Sequence, residues 1–266
     1  MSLAKEPCAV ITGAASGFGR ALALVLAERG ARLVLGDLDQ AGLDETAKLV
    51  KARGALSARC LVCDVTRLES VQSLAAACES AVDLVVNNAG VSSGGGVGEA
   101  PLEDWRWTVE VNFFGVLHGC HVFAPILRAQ GHGHILNVAS AAGLLSAPGM
   151  GAYNVSKAAV VSLSETLSAE LEGTGAGVTV LCPTFFQTNI AKNGRFHDEK
   201  TRATAEKLVR EGKTADEVAR AALASVEKGR LYSVPMADGR MYWRLKRLAP
   251  ESFRRAAGKI GKRVMR

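Results

Sequence analysis

Short, nearly unbroken apolar runs alternate with stretches of helical periodicity along this chain, and that alternation constrains its fold more than any other feature. The runs cover residues 8–12, 32–36, 56–63, 82–87, 134–139 and 178–182, with a weaker seventh at 231–234. An apolar run without polar alternation suits a parallel strand covered on both faces. The helical stretches fall between the runs, at 19–29, 40–53, 68–80, 102–128, 152–172 and 215–228. Gly30, Gly54, Gly131 and Gly173 follow four of them, where helices commonly stop. Parallel neighbours need a crossover long enough to hold a helix. The pattern therefore predicts an α/β fold: a single doubly wound parallel sheet of about seven strands with helices on both faces. The catalytic domain is expected over 1–238, followed by a basic, helical C-terminal extension over 239–266.

The chain has 266 residues, 48% of them hydrophobic, enough to bury one substantial core. No run of about 18 or more apolar residues occurs, so no membrane-spanning helix is predicted. Residues 1–7 are short and polar and lack the apolar region of a signal peptide, so a cytoplasmic protein is expected. The formal charge of +6 is unevenly spread. Residues 239–266 hold ten Lys or Arg and one acid, a net +9, and leave the rest of the chain at −3. The basic character describes the tail and says little about the fold. Among six cysteines, Cys60 and Cys63 form a CxxC, which invites a zinc or redox reading. No second ligand pair stands at a useful spacing and 56–63 reads as a buried strand. The six are expected to be core thiols, with no metal site.

The first apolar run leads into Thr12-Gly13-Ala14-Ala15-Ser16-Gly17-Phe18-Gly19, and a helix follows. Glycines let backbone turn tightly and approach a pyrophosphate, and the helix N-terminus offers it free N–H groups. Gly13, Ser16, Gly17, Phe18 and Gly19 are therefore candidate cofactor contacts in a Rossmann-type site. Asp37 ends the second run, where a carboxylate can accept from both adenosine ribose hydroxyls and repels a 2′-phosphate. No Arg or Lys lies in the glycine turn, so NAD is favoured over NADP. The alternative role for Asp37 is to cap the following helix, for which Asp39 is better placed. Asp64-Val65 and Asn87-Asn88-Ala89-Gly90 end the third and fourth runs, on the edge of the sheet where ligands bind. Asp64 is suited to accept from the adenine amino group, while Asn88, Ala89 and Gly90 let backbone approach the adenosine.

Tyr153 and Lys157 open a helix at i and i+4, on one face. A tyrosine of ordinary pKa is a poor base at neutral pH, and a nearby ammonium lowers that pKa. Ser140 ends the fifth run, placed to hold a substrate oxygen beside the phenol. The glycine turn, Asp64, Asn-Asn-Ala-Gly, Ser140 and the Tyr153/Lys157 pair occur in order and at mutually fitting spacings. Over about residues 7–235 this chain resembles the short-chain dehydrogenase/reductase family in its compact single-domain form. The resemblance implies a catalytic tetrad of Asn112, Ser140, Tyr153 and Lys157, with Tyr153 as acid/base and Lys157 also holding the nicotinamide ribose. It implies that Asn112 holds a water connecting Lys157 to solvent. It also implies cofactor contacts at Pro183, Phe186 and Thr188, and a homodimer or homotetramer. The chain departs from the family at Pro183-Thr184, where Pro-Gly is usual, which leaves that loop's shape open because Thr takes positive φ less readily than Gly.

Substrate choice is expected in three stretches, 91–101, 141–152 and 189–213. Leu144, Leu145, Ala147, Pro148 and Met150 in the second suggest a hydrophobic alcohol or ketone, unless they pack only on each other. In the tail, Phe253, Ala256, Ala257, Ile260 and Val264 form an apolar stripe among Arg254, Arg255, Lys259, Lys262 and Arg263. Peripheral membrane contact is one reading of it; packing on another subunit or a solvated end are the others. Nucleic acid is disfavoured, since the basic residues lack interleaved aromatics. The function expected is NAD-dependent oxidoreduction. A dinucleotide-binding regulator or scaffold is the alternative from another class. An epimerase or dehydratase on this fold is a third reading, though those usually carry a larger C-terminal domain.

Overall fold

The computed structural model describes residues 3–264, with side chains as far as Lys259. Its elements in chain order are β1 (Cys8–Thr12), α1 (Gly17–Ala27), β2 (Arg32–Asp37), α2 (Gln40–Ala52), β3 (Ser57–Val62) and α3 (Leu68–Ala76). There follow β4 (Leu84–Asn87), β5 (Ser93–Gly94), α4 (Leu102–Val109), a π-helical turn (Glu110–Phe114), α5 (Gly115–Gln130) and β6 (His134–Val138). Next come α6 (Ala141–Leu145), α7 (Gly151–Glu170), β7 (Gly177–Leu181), β8 (Arg195–Phe196) and α8 (Glu199–Glu211). The chain continues through α9 (Ala215–Glu227), β9 (Tyr232–Ser233), α10 (Ala237–Leu248) and α11 (Pro250–Val264).

Seven strands form one parallel sheet in the order β3-β2-β1-β4-β6-β7-β9. The direction of winding reverses between β1 and β4, and ligands of such sheets bind in the crevice there, beyond the strand C-termini. Each face carries its own core. Ile11, Leu22, Leu35 and Val86 pack with α1 and α9 on one side. Val10, Val85, Phe123 and Val160 pack with α5 and α7 on the other. The strands alternate between these clusters because successive side chains point to opposite faces.

One expectation fails at β3. The run 56–63 reads as a strand buried on both faces, yet β3 is the sheet's edge, with Leu56 and Val62 53% and 60% exposed. Its apolar residues carry no signal of neighbour count, which only the strand order settles. Cys60 packs against the first cluster and Cys63 belongs to the second, so the two thiols face opposite sides of the sheet. Burial raises the pKa of both, that of Cys63 to about 11.

The helix α4, the π turn and α5 run on continuously over Leu102–Gln130. By length and composition this helix could cross a membrane. Its buried side chains Val116, Cys120, Phe123 and Leu127 are nevertheless core residues of the second cluster. Gly119 lies so close to the Asn87 side chain that a Cβ there would overlap it. That packing is of a helix laid on a sheet.

His134 opens β6 and is 1% exposed, with Nε2 hydrogen-bonded to Thr179 Oγ1 at 2.8 Å. Burial lowers its pKa from 6.5 to about 4. Unfolded imidazole therefore takes up a proton before the folded one does, so stability is full above pH 6.5 and is lost as pH falls towards 4. Between about pH 7 and about pH 4.5, urea denaturation should show His134→Gln losing ~2 kcal/mol less stability than the parent chain. Equal losses would exclude His134 as the acid-sensitive group.

Candidate active site

The glycine turn lies at the C-terminal end of β1, between that strand and α1. Gly13 and Gly17 have φ of 67° and 53°, a region that suits residues without Cβ. A Cβ on Gly13 would stand 2.7 Å from Asn88 Nδ2, and one on Gly19 would overlap the Gly13 carbonyl. Ser16 is the N-cap of α1 but makes no capping bond, so its side chain leaves the helix's first N–H groups to another acceptor. A Cβ on Gly17 would meet Thr188 Cβ at 3.6 Å, so Thr188 closes over the turn. Phe18 and Phe186 meet edge to face at 5.7 Å between ring centres, beside the same turn.

Asp37 ends β2 and partly braces the turn. Its Oδ2 accepts from Ala15 N at 3.0 Å and its Oδ1 from Asp39 N at 3.1 Å. Asp39, not Asp37, caps α2, accepting from Gly42 N at 3.0 Å. Arg20, the first cation after the glycine turn, is tied to Glu45 Oε2 at 2.7 Å and to Thr46 Oγ1 at 2.9 Å. Asp64 Oδ1 accepts from Thr66 N and Oγ1, and Val65 is buried beside it. Asn88 Nδ2 donates to the Thr12 and Gly13 carbonyls at 2.8 and 3.0 Å. Thr12 Oγ1 in turn accepts from the N–H groups of Asn88 and Ala89, a brace the sequence reading missed. These contacts hold a crevice with bare glycine backbone, free helix N–H groups and a terminal carboxylate. Those residues fit an adenine dinucleotide.

Ser140 ends the β6 segment and caps α6, its Oγ accepting from Ala142 N at 3.1 Å. The same hydroxyl lies near that of Tyr153, on the first turn of α7, where it favours the ionised phenol. Lys157 follows one turn later, with Nζ 5.7 Å from the Tyr153 ring centre. Nζ donates to the Val138 carbonyl at 3.0 Å. Tyr153 and Lys157 are 8% and 2% exposed. A Cβ on Gly90 would stand 3.0 Å from Asn112 Oδ1 and 3.5 Å from Lys157 Nζ, so these two predicted tetrad residues meet behind that loop.

One electrostatic expectation changes. The sequence predicts that Lys157 lowers the tyrosine pKa, but burial raises Tyr153 to about 12, opposed by the neighbouring Ser140 hydroxyl. Removing water from a phenolate costs more here than an ammonium placed over the ring returns. Burial likewise lowers Lys157 to about 8. Asn112 is fully buried in the π turn, a feature common at functional sites. Its Oδ1 accepts from Val91 N at 2.8 Å and its Nδ2 donates to Val91 O at 2.9 Å. The side chain thus braces the loop after Gly90, where the resemblance implied only a water site.

Thr184 follows Pro183 without distortion. Among the described residues only Glu6 and Ser146 combine a side chain with positive φ. Thr184 Oγ1 instead lies 3.4 Å from Asp238 Oδ1 at the start of α10.

The three substrate stretches are stitched together, which no local pattern indicated. β5 pairs with β8, and Gly95 N donates to Gly149 O at 2.7 Å. Asn154 Nδ2, between the tyrosine and the lysine, donates to Ala147 O at 2.6 Å. Leu144 and Leu145 pack into the core, so of the five predicted lining residues Ala147, Pro148 and Met150 remain for the mouth. Helix α8, in the third stretch, is capped by Asp198 accepting from Thr201 N at 2.8 Å. Its polar composition hides it from an apolar periodicity search.

The family model for short chain dehydrogenase matches residues 7–199. Over 209 residues the chain is 39% identical to the putative oxidoreductase SadH of Mycobacterium tuberculosis, covering 77% of this chain and 75% of that one. It is 40% identical over 191 residues to the probable oxidoreductase EphD of the same species, covering 70% of this chain but only 32% of EphD. The chain therefore spans about a third of that relative's length. A crystal structure of a short chain dehydrogenase/reductase from Burkholderia phymatum in complex with NAD superposes with a TM-score of 0.88 at 40% identity, covering 94% and 96% of the two chains.

Proposed function

The chain belongs to the short-chain dehydrogenase family, and from that premise we propose that it transfers a hydride between NAD and a hydrophobic alcohol or ketone. The observation that carries this reading is buried Tyr153 with Lys157 Nζ 5.7 Å from its ring centre and Ser140 beside it, at the strand edge that also bears the glycine turn.

A bound nicotinamide would supply the hydride acceptor or donor. In alcohol oxidation, Tyr153 as its phenolate takes the hydroxyl proton as the carbon loses its hydride to the nicotinamide. In carbonyl reduction, Tyr153 gives that proton back. Ser140 donates to the oxygen as charge develops on it. A pKa of about 12 keeps Tyr153 a phenol at neutral pH, which suits the reduction direction. Lys157 would hold the nicotinamide ribose and offers its positive charge to the phenolate, while Asn112 positions the Gly90–Val91 backbone.

Asp37 favours NAD, because its carboxylate would face the added phosphate of NADP and Arg20 is already committed to Glu45. The segment 141–152 supports an apolar substrate, since it follows Ser140 without one charged residue. We propose the cytoplasm as the compartment, supported by six free thiols. A homodimer or homotetramer is supported by Phe114 and Val155, exposed on the π turn and on α7.

A spectrophotometric screen of hydrophobic secondary alcohols with NAD and NADP tests the function. Turnover is expected with NAD, and Asp37→Ser should raise the NADP-to-NAD ratio of kcat/KM at least about tenfold. No turnover with any member of the screen would count against the substrate class. An unchanged cofactor ratio would remove Asp37 from the specificity argument. Light scattering on the same preparation gives the copy number, and a monomer would exclude the oligomer.

A further inference from the structure

The basic tail is docked on the catalytic body, and it leaves one apolar face without cover. Helix α10 is fixed at three points. Gly239 packs where a Cβ would stand 3.0 Å from Thr184 Cγ2. The Trp243 ring lies on Tyr232 at 4.8 Å between centres. Lys246 Nζ donates to Leu144 O at 2.7 Å and to Ser146 Oγ at 3.3 Å, in the segment that follows Ser140. Met241, Tyr242, Leu245 and Leu248 project elsewhere, 49%, 44%, 48% and 84% exposed. At 100° per residue Met241, Leu245 and Leu248 occupy the arc opposite Trp243 and Lys246, with Tyr242 at its margin.

Cations flank this stripe. A cavity of about 390 Å³ between α9, β9 and α10 is lined by Lys228, Arg230, Arg240 and Arg244, with no acidic residue in its wall. Arg240 is held in place, donating to the Val234 and Pro235 carbonyls at 2.7 and 2.8 Å. Among the described residues none of the four is ion-paired, whereas Arg20, Arg29, Arg32, Arg53, Arg59 and Arg220 on the body all are. Residues 239–266 carry a net +9 against −3 for the remainder. In the stripe read from sequence on α11, Phe253 and Ala257 are half-buried, and Ile260 and Val264 lie outside the described side chains.

We propose that α10 is a docking face for an anionic phospholipid bilayer. Met241, Leu245 and Leu248 enter the boundary between headgroups and acyl chains, and the cavity cations take lipid phosphates. An apolar stripe flanked by guanidinium groups on a helix lying flat is the chemistry such a surface selects. Through Lys246 the same helix holds the substrate-side segment 141–152, so the bilayer would lie at the rim of the site. Delivery of a lipophilic substrate by that route rests on the function proposed above; the docking does not.

The full chain should float with vesicles of phosphatidylserine and phosphatidylcholine, and much less with phosphatidylcholine alone. The double variant Leu245→Glu, Leu248→Glu should lower the floated fraction at least about fivefold, as should Arg240→Glu with Arg244→Glu. Leu49→Glu, at a 40% exposed position on α2, should leave flotation unchanged. All three variants should keep near-native circular dichroism, since every altered side chain is exposed. Equal flotation of the double leucine variant and the parent would overturn the proposal. So would a fall in mass by light scattering on that variant, which would assign the stripe to a second copy of the chain.

Discussion

Tyr153→Phe is expected to lower turnover by about 10³-fold, within the usual range for loss of a general acid or base, while NAD affinity changes by less than about threefold. The variant deletes one oxygen and keeps the ring that packs near Lys157 and the core. It removes the hydroxyl beside Ser140, at a cost of about 1 kcal/mol or less in stability. Reduced-nicotinamide absorbance reads the turnover, and calorimetric titration with NAD reads the binding. Retained turnover would sink the assignment of Tyr153. Loss of both activity and binding would indicate damage to the fold instead.

Gly19→Ala should act in the opposite sense, on binding before chemistry. The added Cβ would overlap the Gly13 carbonyl and stand 2.7 Å from Asn88 Nδ2. Neither neighbour yields cheaply, since one is backbone and the other holds the Thr12 and Gly13 carbonyls. The turn must open, and NAD affinity should fall at least about tenfold, which is ~1.4 kcal/mol. Far-UV circular dichroism should stay near that of the parent chain, because the turn lies outside the strands. Unchanged NAD affinity would exclude this turn as the pyrophosphate site.

Much of this arrangement was legible in the sequence. Unbroken apolar runs mark strands covered on both sides, and the sheet's seven strands coincide with the seven runs to within a few residues. Asp37 and Ser140 stand at strand ends, and in a parallel sheet all such ends share one edge. The edge role of β3 was not legible, because covering depends on which strand becomes the neighbour. Nor was the β5–β8 pairing, whose two-residue strands are too short to show a period.

The tail divides the same way. Its charge and its two helical pieces broken at Pro250 are sequence properties. Sequence pointed to an apolar stripe on α11, and the structure exposes another on α10, where Trp243 and Lys246 turn inward to the body. Which side of an amphipathic helix is left uncovered is decided by what it docks against.

By itself, then, the sequence determined what depends on near neighbours: strand and helix, the glycine turn, and the one-turn spacing of Tyr153 and Lys157. Those follow from backbone geometry within a few residues. Only the tertiary structure decided what depends on surroundings. Burial, not the neighbouring ammonium, directs the Tyr153 pKa, and the π turn makes Asn112 a brace for Val91. Removal of water and contacts between distant segments set both, and neither leaves a mark in local residue order.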